Sequence, residues 1–406
     1  MSELENEFLT NILMIPDKVW WWMPGAGQVN GRHEMFKNPR YYLACQHLLK
    51  TGRPNAAAKA ALEKVCRGPL EYLQFASSKA YRSDHEGVEA DHGWQNGLWF
   101  SLLNGDWNHF MSGMARDAAR YALLQTDNLG GLSGHIQYGA VQNLNATSDV
   151  RNAIRTAAWF YREPGFRWVL ENMPLRPSYS YSFPFNLPLD HVSVREPVEW
   201  LGVQSQPLSP FSYDAAKGKT EWGQLNVPRE MTVDLLAFRE GFAPDDQYLC
   251  IDGFQAHFQP KGLNSVLRYV DRGKLFLVAH TGKEGNYYKS GVVVSSGTQT
   301  QPEPCGVRLA ALKNWPEGFS FSQTVAPGMN GCDWERSIFW KRGEYFLFID
   351  RLVALKPGKF NLTATWRTGH RAEWKDDAWK QRQSDVTFYI KPAYPLFQES
   401  ARQPEE

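Results

Sequence analysis

The clearest candidate for acid–base chemistry in this sequence is a histidine and a tyrosine three residues apart. His135 and Tyr138 lie in the segment Ser133-Gly-His-Ile-Gln-Tyr-Gly139, between two predicted helices. Imidazole and phenol groups on a glycine-bounded loop can accept or donate a proton at a bound substrate. Asn143 follows closely, and its amide can neutralise a carboxylate by hydrogen bonding. We therefore expect these side chains to belong to a proton-transfer site, the alternative being that they bond only to local backbone.

A second candidate site combines a cation with aromatic rings near the N-terminus. Three consecutive tryptophans, Trp20–Trp22, precede a glycine-rich loop that contains Arg32 and His33. Indole rings stack on the C–H faces of pyranose rings, and a guanidinium binds the acidic group of a sugar. This combination predicts a subsite for an anionic sugar, the alternative being a hydrophobic anchor for the N-terminal arm.

An acidic, histidine-containing segment occupies residues 84–96. Asp91 and His92 are adjacent, so on a helix their side chains would point apart, and we expect no metal site here. We expect His92, Trp94 and Asn96 to line a substrate cleft, the alternative being a solvated helix start.

Charge and aromatic content narrow the class of ligand. Lys and Arg total 44 against 43 Asp and Glu, a formal net charge of +1, which gives no electrostatic reason to expect nucleic acid. The chain holds 16 Trp, 17 Tyr and 23 Phe, which suits a sugar-binding cleft as well as aromatic core packing. Walker, GxGxxG, HExxH and GxSxG motifs are absent, so we expect no cofactor, no metal and no serine hydrolase.

The N-terminal sequence and the cysteine spacing indicate in which cell compartment the protein is expected. The first sixteen residues are acidic and lack a basic region followed by an apolar run, so no signal peptide is expected. As written, the chain would be cytoplasmic, or periplasmic or secreted if a leader has been removed. The apolar stretches are shorter than the ~20 residues that a membrane span needs. The five cysteines are widely spaced without a CxxC pair, which predicts buried thiols.

Two kinds of periodicity divide the chain. Apolar residues recur at helical spacing in the first half, where we expect helices at 41–49, 57–65, 70–80, 94–103, 109–124 and 151–162. Helices of this length joined by short polar turns are typical of antiparallel pairs packed side by side. Seven prolines fall between 174 and 210, which predicts a linker.

The second half alternates β-branched and aromatic residues in short runs between turn signals. Strands are expected within 248–251, 265–269, 275–279, 291–295, 337–340, 345–349 and 359–366. Many short strands at near-regular spacing predict an antiparallel sandwich rather than a parallel sheet. The predicted domains are therefore helical at 1–180, linker at 181–230 and sandwich at 231–406.

Particular segments resemble the heparinase II/III-like polysaccharide lyases. In the β half these are 238–254 (FREGFAPDDQYLCIDGF), continuing to 264–274, and Trp334-Glu-Arg-Ser-Ile338 followed by 343–350. In the helical half, 132–138 (LSGHIQY) and 157–162 (AAWFYR) are similar to the α/α-toroid of that family. The resemblance implies an incomplete α/α-toroid followed by a large antiparallel β-sandwich.

The resemblance also implies a chemistry and one more site residue. The family cleaves uronic-acid polysaccharides by β-elimination in a cleft between the two domains, and it places site residues where His257 stands. Many relatives carry a run of the type HxHxDxN there, whereas residues 253–264 read GFQAHFQPKGLN. Asn264 is kept but Gly262 replaces the aspartate, so we expect no metal bound by that run.

The hypothesis is a lyase acting on an acidic polysaccharide, with His135, Tyr138 and His257 in acid–base roles. Asn143 and Arg32 would hold the substrate carboxylate. One alternative is a catalytically silent relative that only binds carbohydrate. Another is a glycoside hydrolase with its carboxylates drawn from Asp84, Glu86 or Glu89, a reaction that requires a pair ~5–10 Å apart.

Overall fold

The structure is a computed structural model of the chain. It describes, apart from single positions between 56 and 67, the residues 45–50, 100–102, 104–131, 149–175, 187–217, 224–254, 263–279, 290–295 and 304–393. The helical layer, the sheets and the contacts between them all come from these ranges.

Among the residues that the structure describes, the helical layer includes α1 (Asn108–Met111), α2 (Met114–Leu124), α3 (Asp149–Tyr161) and α4 (Pro164–Asn172). The single helix predicted at 109–124 is divided, because Gly113 adopts a left-handed φ of 88° between α1 and α2. Pro164 lies in the first turn of α4, where a missing N–H costs nothing. The prolyl turn that ends α3 therefore also starts α4.

Helix α2 packs on α3, and α3 on α4. The shared core is rich in small and branched side chains, including Ala118, Ala122, Ile154, Ala157 and Val169, all buried. Alanines let helix axes approach closely, which favours side-by-side packing. The toroid implied by the family resemblance remains a prediction.

The β half contains strands β1 (Gly202–Pro207), β2 (Thr232–Arg239), β3 (Tyr248–Asp252), β4 (Val266–Asp271), β5 (Lys274–Val278), β6 (Gly291–Ser295), β7 (Val307–Asn314), β8 (Phe319–Met329), β9 (Cys332–Lys341), β10 (Tyr345–Ala354), β11 (Asn361–Thr365), β12 (Glu373–Lys375), β13 (Ala378–Gln383) and β14 (Val386–Ile390). Nine of them form one sheet in the order β10-β9-β8-β7-β2-β3-β4-β5, with β1 also on β2. Strands β6 and β11 pair separately, as do β12, β13 and β14.

Strand β1 and the following helix α5 (Pro210–Lys217) lie within the range predicted as a linker. The Asn314 side chain fastens β1 to the end of β7 by imitating a strand partner. Its Oδ1 accepts from Val203 N at 2.8 Å, and its Nδ2 donates to Val203 O at 3.0 Å. A Cβ at Gly202 would lie 2.4 Å from that Oδ1, so the amide can approach only because residue 202 is glycine.

The nine-stranded sheet is the middle layer of the molecule. Every residue of β2 and β3 is buried, because side chains alternate between two covered faces. Leu236 and Phe238 face the sandwich core with Trp340, whereas Leu235 and Ala237 pack with the helices. The described strands thus confirm an antiparallel, partial β-sandwich, with the helical layer on the outer face of its large sheet.

Candidate functional site

The loop that follows α2, residues 125–131, is buried against the sheet. Asp127 and Asn128 are both 0% exposed. Asp127 Oδ1 accepts from Leu129 N at 2.8 Å and from Gly131 N at 2.7 Å, which closes the loop on itself. Its Oδ2 accepts from Nε of Arg268, on β4, to form a buried ion pair. Since a buried carboxylate needs both charge and hydrogen-bond partners, Asp127 fixes the loop and its attachment to the sheet together.

Arg239, at the end of β2, binds the C-terminal end of α2. Its guanidinium donates to Leu123 O at 3.1 Å, to Thr126 O and to Asn128 Oδ1. The last carbonyls of a helix lack partners within the helix and carry partial negative charge, which a cation satisfies. The guanidinium also lies 4.6 Å from the centroid of the Tyr248 ring.

The hydroxyl of Tyr248, on β3, makes a further contact with the end of α2. It donates to Leu124 O at 2.7 Å in the buried interior. The Asn128 side chain donates in turn to Gly241 O and Asp246 O, at 3.2 and 3.0 Å. Three adjacent strands therefore hold the end of α2 and its loop, and this set of contacts is called the loop anchor below.

The loop anchor lies where a predicted site segment leaves the described residues. Gly131 is the last described residue before 132–148, the segment that contains His135, Tyr138 and Asn143. Because Gly131 N is bound by Asp127, which is in turn bound by Arg268, the described chain before this segment is fastened to β4.

The turn between β3 and β4 has an equally defined base. Asn264 N donates to Asp252 O at 2.8 Å, and Asp252 N donates to Ser265 O at 3.0 Å. Asp252 and Asn264 therefore lie side by side, and the chain continues to Phe254, which bridges Gly306, before residues 255–262, which contain His257. Asp252 is two residues beyond Cys250, which pairs directly with Arg268. The bases of 132–148 and 255–262 are thus neighbours on the sheet.

Asn264 is held by hydrogen bonds from a buried polar cluster on β8 and β9. Its Oδ1 accepts from Thr324 Oγ1 at 2.6 Å and its backbone carbonyl accepts from Arg336 Nη1 at 2.9 Å. Asn264 has a φ of 57°, a left-handed conformation that asparagine tolerates better than most residues. The asparagine that matches the family run therefore has a structural task, to close the turn.

Arg336 is positioned by a bidentate pair with Asp350, at 2.8 and 2.9 Å. The two residues are direct partners in the β9–β10 register. Burial opposes ionisation of Asp350, but the charge and hydrogen bonds of Arg336, with a further bond from the Trp334 indole, outweigh it and lower the pKa of the carboxyl. The pair is therefore charged and rigid beneath the turn.

A third segment ends beside the same turn. Val266 N donates to Ser290 O at 2.8 Å, and Arg367 N donates to Ser290 Oγ at 2.9 Å. Residues 280–289 thus rejoin the described chain next to Ser265. The described residues next to 132–148 and 280–289 therefore lie beside the β3–β4 turn.

The predicted site residues themselves lie outside the described residues. This holds for His135, Tyr138, His257, Arg32, His33, His92, Trp94, Asn96 and Asn143. Their roles remain predictions, and the structure describes the positions from which two of their segments start. Within the described ranges, no group of three or more His, Cys, Asp or Glu side chains is arranged to hold a metal ion. In the same ranges, no helix is long and apolar enough to cross a membrane.

The residues of the loop anchor were missed by the sequence analysis. A signal was present, because Arg239 ends the apolar run LLAF and Arg268 interrupts the apolar run VLRYV. An arginine inside a buried strand requires a buried acceptor. The run Gln125-Thr-Asp-Asn-Leu-Gly-Gly131 supplies a turn with such acceptors.

Comparison with known proteins gives structural neighbours. No protein-family model and no curated protein sequence matches the chain. Among solved structures, it is similar to the heparan sulfate lyase HepC from Pedobacter heparinus, with a TM-score of 0.54 and 11% identity over 94% of this chain and 53% of that one. It is also similar to a structure of heparinase III, with a TM-score of 0.56 and 10% identity over 94% of this chain and 55% of that one. The chain therefore spans about half the length of these structures and shares their fold over that part.

Proposed function

We propose that this chain has the activity of a polysaccharide lyase and cleaves a uronic-acid-containing polysaccharide by β-elimination. The observation that carries the proposal is the common origin of two segments. The described residues that border 132–148 and 255–262 lie near each other on the sheet, because Asp127, which binds Gly131 N, pairs with Arg268 on β4, and Asp252 pairs with Asn264 between β3 and β4. The fold shared with heparin-type lyases supports the same substrate class.

Chain lengths are compatible with a shared site. His135 is four residues beyond Gly131, and His257 is five residues beyond Asp252. An extended chain spans up to ~3.5 Å per residue, so each segment can extend over ~14–18 Å. On β3, the residue opposite Arg268 (Cys250) and Asp252 are two residues apart, or ~7 Å. In this proposal, one sugar ring lies between the two segments and contacts both histidines.

The elimination divides into three tasks. A base takes the proton on C5, the C4–O4 bond breaks as the C4=C5 double bond forms, and an acid protonates O4 of the departing sugar. His135, Tyr138 and His257 supply the base and the acid in this proposal. Asn143 and Arg32 neutralise the substrate carboxylate, which makes the C5 proton acidic. The cleft is lined by His33, His92, Trp94 and Asn96.

The test is the absorbance of the unsaturated uronate product. The protein would be incubated with alginate, heparin, chondroitin, hyaluronan and pectin, and absorbance should rise with at least one polymer. Tyr138→Phe should lower that rate by ~100-fold or more, since general acid–base groups contribute 10²–10⁴-fold. Tyr389→Phe is the matched control, because Tyr389 is 56% exposed on β14.

Three outcomes would contradict the proposal. A flat absorbance trace across the panel, with polysaccharide binding retained in His135→Ala, would indicate the catalytically silent carbohydrate-binding protein. Release of reducing ends without an unsaturated product would indicate a glycoside hydrolase. Equal rates in Tyr138→Phe and Tyr389→Phe would remove Tyr138 from the mechanism.

A further inference from the structure

A pocket of about 330 Å³ lies where the helical layer meets the β half, away from the β3–β4 turn. Its walls come from α2, from the start of α4 and from the segment before β1. The lining side chains combine cations, carboxylates and aromatic rings, namely Arg116, Arg120, Glu163, Phe166, Arg195, Glu199 and Trp200.

Two of the arginines point the same way from one helix. Arg116 and Arg120 are four residues apart on α2 and therefore share a face. Arg116 forms an ion pair with Glu163 and lies 4.4 Å from the centroid of the Tyr161 ring. Arg120 donates to the neutral carboxamide of Gln204 at 3.4 Å. The carboxamide is neutral, and the nearby Asp117 carboxylate interacts with Arg120 only through its charge, so the guanidinium keeps donors for an incoming anion.

Trp200 forms a rigid wall of the pocket. It is half-buried, and its ring packs on Phe166 with the centroids 4.7 Å apart. Gly165 lies against the same indole, since a Cβ there would come within 3.3 Å of it. A fixed aromatic surface beside guanidinium and carboxylate groups is a typical combination for a sugar ring with an acidic substituent.

From this geometry, we propose that the pocket is an accessory subsite for one acidic sugar unit of the polymer. The carboxylate or sulfate binds Arg120 and Arg116, the ring stacks on Trp200, and hydroxyls donate to Glu199. The substrate class rests on the proposed function. Arg116 is about 12 Å of helix rise from the end of α2 at Leu124.

Glu163 acts against the ligand in this arrangement. Its carboxylate occupies the guanidinium of Arg116, which an anionic sugar must take over. Burial raises the pKa of Glu163, although Arg116 opposes the shift. Replacing the carboxylate by an amide frees Arg116 for the ligand, so Glu163→Gln should bind an acidic sugar more tightly. A purely structural ion pair would give no such gain.

The experiment is calorimetric titration with three tetrasaccharides, from heparin, from alginate and from neutral cellulose. The His135→Ala background is used throughout so that any turnover is slowed. Arg120→Ala should weaken binding of an acidic tetrasaccharide about tenfold, as expected for one charged hydrogen bond. Glu163→Gln should tighten the same binding several-fold. Arg351→Ala, which removes an exposed arginine on β10, is the matched control and should change nothing.

The three ligands identify the group that is bound. Binding of both acidic ligands supports recognition of carboxylate, and binding of heparin alone supports recognition of sulfate. The subsite would be refuted if the neutral tetrasaccharide bound with the same affinity as the acidic ones. It would also be refuted if Arg120→Ala and Glu163→Gln both kept the wild-type affinity for acidic tetrasaccharides and the wild-type melting temperature. If lyase activity is present and the binding result is negative, the subsite alone is refuted. If lyase activity is absent and the affinity depends on Arg120, only the proposed lyase function is refuted.

Discussion

Asp127 and Arg268 form a buried ion pair between residues that are 141 positions apart in the sequence. One belongs to the loop after α2 and the other to β4, and their side chains are 0% and 5% exposed. The pair therefore joins the helical layer to the sheet beside the base of the segment that carries His135 and Tyr138.

Removing one member of this pair should be costly. Arg268→Ala leaves the Asp127 carboxylate buried without its ion-pair partner, so the free energy of unfolding should fall by about 3–5 kcal/mol. Urea unfolding measures this. Arg351→Ala, which breaks the exposed pair with Glu335, should cost less than about 1 kcal/mol. Similar losses for both variants would show that the buried pair has no special role.

The Tyr248 hydroxyl offers a smaller and cleaner test of the loop anchor. Tyr248→Phe removes the donor to Leu124 O without opening a cavity, and should cost about 1–3 kcal/mol because that buried carbonyl loses its donor. Tyr389→Phe should stay within about 0.5 kcal/mol, as expected for an exposed phenol. A neutral result for Tyr248→Phe would mean that another donor reaches the carbonyl.

Gly130 and Gly318 form a matched pair for testing steric contact. Both have left-handed φ values, 76° and 84°, but a Cβ on Gly130 would lie 2.1 Å from Pro174 O, whereas Gly318 has open space. Gly318→Ala should therefore show only the cost of left-handed backbone, about 1–2 kcal/mol. Gly130→Ala should lose clearly more in thermal unfolding, since the backbone of the loop or of Pro174 must move. Equal losses would refute the close approach.

Acid should weaken the Arg336–Asp350 pair in a defined direction. The pKa of Asp350 is lower in the folded state than its ordinary value in the unfolded chain, ~3.9. The ionised carboxylate therefore contributes its full stabilisation at pH values above that unfolded pKa. This stabilisation is lost as pH falls through the lower pKa of the folded state. Wild type should therefore lose stability faster than Asp350→Asn below about pH 4. The measurement is the urea midpoint from pH 2 to 7, and parallel curves for the two proteins would contradict it.

Much of the sheet could be predicted because side-chain alternation is a local property. Strand β6 has the predicted bounds 291–295, and β3 and β11 differ from prediction by a few residues at the ends. Strand β10 continues five residues beyond the predicted 345–349, where Asp350 and Arg351 interrupt the apolar pattern. Asp350 belongs to the strand because Arg336, directly opposite, compensates its burial, and such a partner is not recognisable from the local sequence.

The helical layer and the site depend more on distant contacts. The end of α3 was predicted at 162, but the start of α4 at Pro164 was not, since proline can both end one helix and begin the next. The importance of Asp127 was not predictable from its own neighbourhood, because Arg268 is far away in sequence. Acid–base candidates such as His135 were chosen by residue type, and their assignment remains a prediction.

The loop anchor has a consequence for the order of folding. Its bonds connect residues 111 to 141 positions apart, so each must await a slow closure of a long stretch of chain. Helices α2 and α3 can form from local contacts, whereas the bonds from the end of α2 to Arg239 and Tyr248 require long-range closure, so we expect those bonds to form later. We therefore expect the loop that ends at Gly131 to be fixed late in folding.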